Sequence, residues 1–244
     1  MRIKFTHYFG FFLIFLFSIS FYSCEVLQQL ETNLPSQSAQ LTDVEIREGL
    51  TDALRIGLNN AVNQASVTDG FYKNDEIFVK FPVEAYKVRE VALNFHLDGQ
   101  VNKFEETLNR AAEKAAAEVK PVFMKALTEM TFSDARGILR GEENAATEYF
   151  KRKTYDELVQ ICYPKVESVT SEVKLTKHWE PIIKVYNKAR IISGDPEVNP
   201  DLNDYVTKKT IDGLFFLIEN EEKQIRKDPA KRVTEILKKV FGSV

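Results

Sequence analysis

The sequence predicts an all-α protein, a single multi-helix domain with a central apolar helix behind a signal peptide and a polar tether. Three observations predict it. Beyond residue 41 apolar side chains recur at intervals of three and four, the period of helices that bury one face. Only Glu76 to Pro82 (EIFVKFP) has strand-like content, too short a stretch to make a β protein. Ile211 to Ile218 (IDGLFFLI) is apolar nearly all round, as in a helix enclosed by others.

The first 23 residues stand apart from this pattern. They hold nine of the 28 aromatic side chains and no acid. Arg2 and Lys4 form a positive n-region, and Tyr8 to Ile19 is an apolar run broken only by Gly10 and Ser18. This reads as a signal peptide over residues 1–23. A membrane-spanning helix needs roughly 20 apolar residues, and the polar chain from Glu25 arrives too early for that. The segment ends Phe21-Tyr22-Ser23-Cys24, a small residue before a cysteine, which resembles a loose bacterial lipobox with Phe21 in place of the usual leucine. Cys24 is therefore the expected lipidation site, and cleavage after Ser18-Ile19-Ser20 is the alternative. The expected place is the periplasmic side of a membrane, reached through the lipid anchor. Glu25, which is not the aspartate that retains enteric lipoproteins, favours the outer membrane.

Residues 25–40 (EVLQQLETNLPSQSAQ) sustain no apolar face, so residues 24–40 read as a lipidated terminus and flexible tether. Sixteen such residues have an rms span of about 20–25 Å. The globular domain is expected over 41–244. It opens with a capping box at Thr42-Asp43-Val44-Glu45 and a helix from 43 to 65, ended by Thr68-Asp69-Gly70-Phe71. A helix between Val83 and Phe95 precedes a turn at Asp98-Gly99. From Val101 an alanine-rich helix follows, which Pro121 should kink or end. Further helices are expected at 132–140, 143–151 and 154–171, the last from a second capping box at Thr154 to Glu157, and then at 176–191. Ser193 to Pro200 is a loop. Ile225 to Val244 closes the chain as a short helix with six basic and two acidic residues, either packed on the core or lying on anionic lipid.

Charge and motif content narrow the function. The formal charge is −3, and removing residues 1–23 takes away Arg2 and Lys4, leaving 31 basic against 36 acidic side chains and −5. No basic excess exists to hold a phosphate backbone, so nucleic acid is not an expected partner. No metal-binding His-Glu-x-x-His, phosphate-binding loop or nucleophile elbow occurs, and no cofactor is expected. Cys162 reads as a buried thiol and Trp179 as an aromatic at the edge of the core. Glu105, Glu106, Asn109, Arg110 and Glu113 read as surface pairs along one helix. Asp212 interrupts the most apolar helix and should meet an arginine, Arg110 or Arg152, or a backbone N–H. Asp69, Arg110, Glu113, Arg152, Asp212, Glu222 and Arg226 are the candidates for a polar constellation.

Thr68-Asp69-Gly70-Phe71, Asn109-Arg110-Ala111-Ala112-Glu113, Ala145 to Phe150 (AATEYF), Tyr205-Val206-Thr207, Asp212-Gly213-Leu214-Phe215 and Ile225 to Pro229 (IRKDP) together resemble domain-of-unknown-function family 4197 over about Leu41 to Val244. The resemblance implies an exported or lipoprotein-like single domain with no assigned activity and supplies no catalytic residue. The functional expectation is a tethered helical module that binds a protein partner or an apolar ligand in the envelope. The alternative is a hydrolase-like envelope enzyme using the carboxylate and arginine candidates.

Overall fold

Thr42 starts the first helix through a reciprocal cap. Its hydroxyl accepts the Glu45 N–H at 3.2 Å, while the Glu45 carboxylate accepts the Thr42 N–H at 3.0 Å. The computed structural model describes residues 41–129, 131, 135–195 and 202–244. The expected signal peptide, Cys24, the expected tether and the end of the expected 193–200 loop lie outside the described residues. Leu41–Val244 forms one unit. Helix α1 spans Asp43–Ala65 and buries Ile46, Leu50, Leu54, Leu58, Ala61 and Ala65 along one stripe.

The segment after α1 corrects the strand-like reading. No strand is present among the described residues, and 78–82 has no regular structure. The Val79 N–H donates to Asn109 Oδ1 at 2.8 Å and its carbonyl accepts from Asn109 Nδ2 at 2.9 Å. A single buried amide thus satisfies both backbone groups that a neighbouring strand would otherwise pair.

A 3₁₀ turn at Val83–Ala85 leads into α2 (Tyr86–Asn94), and α3 runs Asp98–Glu129. Asp98-Gly99 is the first turn of α3 rather than a turn between helices. The chain reverses just before it, where His96 adopts a φ of 57°. Of the two outcomes expected at Pro121, an end to the helix is excluded, since α3 continues through it. Proline removes one helical hydrogen bond, at a cost of roughly 3 kcal/mol. Val119, Phe123 and Leu127 are buried on both sides of it, and that burial keeps the helix in register.

Beyond the short α4 (Ala135–Leu139), α5 runs unbroken over Ala145–Glu172 where two helices were expected. Thr154 caps nothing. Its hydroxyl donates to the Phe150 carbonyl at 2.8 Å, four residues back in the same helix. Helix α6 (Leu175–Ser193) ends at Gly194 with a φ of 74°. Helices α7 (Leu202–Lys227) and α8 (Glu235–Phe241) complete eight α-helices among the described residues.

Helix α7 is the central element, packed against α1, α5 and α3. It buries Ile211, Leu214, Phe215, Leu217 and Ile218. Phe215 meets Phe123 of α3 and Phe150 of α5 at centroid distances of 5.3 and 5.5 Å. The helix is not enclosed on every side, because Asp212 and Phe216 reach the surface. Trp179 closes a second aromatic cluster with Phe81 and Phe104, at 5.6 and 4.9 Å. The basic terminal helix α8 packs on α1 with Leu237, Val240 and Phe241 fully buried. No helix among the described residues is long and apolar enough to cross a membrane.

Candidate functional site

Asp69, Arg110 and Glu113 come together as the sequence suggested, in a structural role. Gly70 must be glycine, since a Cβ there would lie 2.5 Å from the Gln64 and Ala65 carbonyl oxygens. The turn thus forced presents the Phe71 and Tyr72 N–H groups to Glu113 Oε1 at 3.2 and 3.1 Å. Arg110 donates to Glu113 Oε2 at 2.8 Å and to Asp69 Oδ1 at 2.6 Å. Lys73, and then Arg110, hold the Asp69 carboxyl below the usual carboxylate range. Glu113 is 4% exposed and Asn109 is fully buried, which corrects their reading as surface pairs. The group fastens the 69–79 segment onto α3.

Glu222 and Arg226 form a separate fastening. The Glu222 carboxylate is 1% exposed and accepts the Ala146 N–H at 3.0 Å, the Thr147 N–H at 2.7 Å and the Thr147 hydroxyl at 2.6 Å. It caps the first turn of α5 from another helix, where the helix dipole favours an anion. Arg226 neutralises it, with Nη2 at 2.7 Å from Oε1. The same guanidinium donates to the Leu139 and Ile138 carbonyls at the end of α4, at 2.8 and 3.2 Å.

Arg152 joins neither group and lies exposed, 5.7 Å from the Tyr149 ring centroid. Asp212 meets neither Arg110 nor Arg152. It accepts the Tyr155 hydroxyl at 3.0 Å and stands 4.0 Å from both Lys151 and Lys209. Its carboxylate is 39% exposed, so water pays most of the solvation that an arginine was expected to supply. Burial first, and the Asp212 charge second, push the Tyr155 phenol well above its ordinary pKa.

Asp212, Lys151 and Lys209 line a surface groove of about 310 Å³ together with Ile77, Phe78, Phe216 and the carboxylates Glu76, Glu148 and Glu219. Lys151 also lies 5.8 Å from the Tyr155 ring centroid and 5.9 Å from that of Phe215. Phe78 is shared with a neighbouring groove of about 380 Å³ that includes Phe81, Tyr86 and Leu93, with the Arg89–Glu105 pair at its edge. Sequence reasoning missed Lys151, Lys209 and Tyr155. The spacings Lys151/Tyr155 and Lys209/Asp212 place each pair on one helix face, but nothing local says that α5 and α7 bring the two faces together.

Cys162 is fully buried, and burial pushes its thiol up to about 12, so it holds almost no thiolate near neutral pH. Among the described residues no three His, Cys, Asp or Glu side chains gather closely enough to hold a metal ion.

The profile of the family described as protein of unknown function (DUF4197) matches residues 40–242. No curated protein and no solved structure matches the chain. The match takes in every fastening described above, from the Asp69–Arg110–Glu113 turn to the Glu222–Arg226 cap. The chain belongs to the DUF4197 family.

Proposed function

We propose that the chain is an exported lipoprotein, acylated at Cys24 and held on the periplasmic side of a membrane, the outer membrane being favoured by Glu25. It acts there as a binding module for a protein partner or an apolar ligand. The basic n-region, the apolar run Tyr8 to Ile19 and Ser23-Cys24 support the address.

The groove beside Asp212 carries the binding reading. Two lysines, Lys151 and Lys209, and four carboxylates, Glu76, Glu148, Asp212 and Glu219, stand beside apolar walls from Ile77, Phe78, Phe215 and Phe216. Apolar area of this kind holds a ligand, and the few polar groups orient it. A neutral hydrogen-bonding group on the ligand would reach Lys151 and Lys209 without adding to the acidic excess of the lining, while an apolar body covers Phe216, itself 37% exposed. The buried carboxylates Glu113 and Glu222 are each committed to several donors that hold the fold, which favours binding over the hydrolase-like alternative.

A photoreactive side chain placed at Phe216 in cells tests the groove, with Ile161 on α5, 43% exposed, as the control position. A discrete adduct is expected at 216 and absent at 161, and it should weaken when Lys151→Ala and Lys209→Ala are combined. Equal labelling at both positions, or none at 216, rejects the groove. Metabolic incorporation of a fatty-acid probe should be lost in Cys24→Ala, and a retained label rejects the anchor.

A further inference from the structure

The segment that lines the groove leaves part of its main chain unpaired. The Val79 N–H and carbonyl both meet one side chain, the Asn109 amide, so residue 79 is extended, with its two groups on the α3 side. Across a trans peptide the carbonyl and the N–H point in opposite directions, and no cis bond occurs among the described residues. The Phe78 carbonyl is therefore opposed to the Val79 N–H, and the Lys80 N–H to the Val79 carbonyl. An acceptor and a donor stand side by side on the edge turned away from Asn109, and neither has a hydrogen-bond partner among the described residues.

This pair is bounded at both ends. The Phe78 N–H donates to the Asn74 carbonyl at 2.8 Å, and the Lys80 carbonyl accepts the Tyr205 hydroxyl at 2.9 Å. A second chain laid along the edge makes two main-chain hydrogen bonds there, and the edge is too short to template a growing sheet. It is also a ridge between two grooves, since Phe78 lines both, with Ile77 on the Asp212 side and Phe81 on the Leu93 side. An extended chain sends successive side chains in opposite directions, so one bound on the ridge would place a side chain in each groove. The lining of the Asp212 groove sets four carboxylates against two lysines. Lys223 pairs with Glu219, but Glu76 and Glu148 are exposed and have no cationic partner among the described residues.

We propose that the ridge takes an extended segment of a partner protein. The segment donates one N–H to the Phe78 carbonyl and accepts the Lys80 N–H, lays an apolar side chain on Phe216 and sets a lysine or arginine against Glu76 and Glu148. Its remaining carbonyls are the neutral groups that Lys151 and Lys209 can meet. The proposal rests on the groove reading above and selects a peptide over a small apolar ligand, because a hydrocarbon body would leave both main-chain groups and both carboxylates unanswered.

A random peptide library displayed on phage and selected on the full chain in detergent tests the ridge. Enriched peptides are expected to share a basic residue and apolar residues at alternate positions. Glu76→Lys combined with Glu148→Lys, both exposed and outside the core, should weaken their binding about tenfold or more. Glu167→Lys with Glu180→Lys, exposed on α5 and α6, should leave it unchanged. Methylating the amides of a selected peptide one at a time should cost about fivefold at the N–H that reaches the Phe78 carbonyl and less at its neighbours. Failure to enrich any peptide, indifference to Glu76 and Glu148, or equal tolerance of methylation at every amide overturns the proposal. The adduct at position 216 in cells reads the groove separately, so an adduct of small-molecule mass with no peptide enriched rejects the peptide and keeps the groove.

Discussion

Glu222 on α7 caps α5 from a distance of 75 residues in sequence, accepting both the N–H and the hydroxyl of Thr147, at 2.7 and 2.6 Å. The carboxylate is buried, and its positive partner Arg226 is bound to α4 as well. Glu222→Ala leaves a buried guanidinium and two helix N–H groups without their acceptor and should cost about 3–5 kcal/mol. Glu222→Gln keeps one acceptor oxygen and should cost less, about 2 kcal/mol. Urea unfolding, read as a lower midpoint at unchanged slope, checks both.

Gly213 and Phe71 join two of the sequence motifs in space. A Cβ at 213 would lie 2.8 Å from Phe71 Cε1, at the far end of a fully buried ring. Gly213→Ala should cost about 1–3 kcal/mol through overpacking. Phe71→Leu removes the obstructing edge, so the double variant should be at least about 1 kcal/mol more stable than the two single losses predict. A double-mutant cycle measures that coupling, and strict additivity would show that the ring yields freely.

Asp212→Ala should change stability by no more than about 1 kcal/mol, because the carboxylate is partly solvated and loses one neutral hydrogen bond and two long ionic contacts. A loss above about 2 kcal/mol in thermal or urea unfolding would mean that Asp212 holds the helix together after all.

Glu45 gives the junction of α1 and α8 a pH dependence. Lys239, and then Thr42, lower its carboxyl to about 2 from an ordinary value near 4.5. A depressed carboxylate stabilises the fold above its unfolded pKa, and that contribution fades as pH falls from about 4.5 through about 2. Glu45→Gln should therefore be less stable than the native chain at neutral pH, with the gap closing across that window. Urea midpoints measured at several pH values read the gap directly.

Cys162 should resist aromatic disulfide reagents at mildly alkaline pH, since burial holds its thiol near 12, and should react fully once urea exposes it. Rapid reaction of the native chain would place it in a loosely packed or frequently opening region.

Sequence legibility followed the range of the interactions. Thr42 and Glu45 are three residues apart, so their capping box and the limits of α1 could be read directly. Thr154 carries the same local signature and caps nothing, because Phe150, Leu158 and Cys162 pack on both sides of it and hold α5 continuous. Pro121 does not end α3 for the same reason. Asp69, Arg110, Glu113, Glu222 and Arg226 were legible as charges that needed explanation. Their partners were not legible, since Phe71 lies 42 residues from Glu113 and Ala146 lies 76 from Glu222.

The sequence by itself determined the all-α class, the central place of the Ile211–Ile218 segment and the family, because helical periodicity and short motifs are local properties of the chain. Tertiary structure alone decided which charges fasten the fold and which face a groove. Lys151 and Tyr155 meet Asp212 only because α5 and α7 cross where Phe215 packs between them. Asn109 replaces a strand for Val79 because packing carries its amide into the core. A side chain's chemistry is fixed by its type, but its solvation and its partners depend on packing, and packing joins residues too distant in sequence for local pattern to pair.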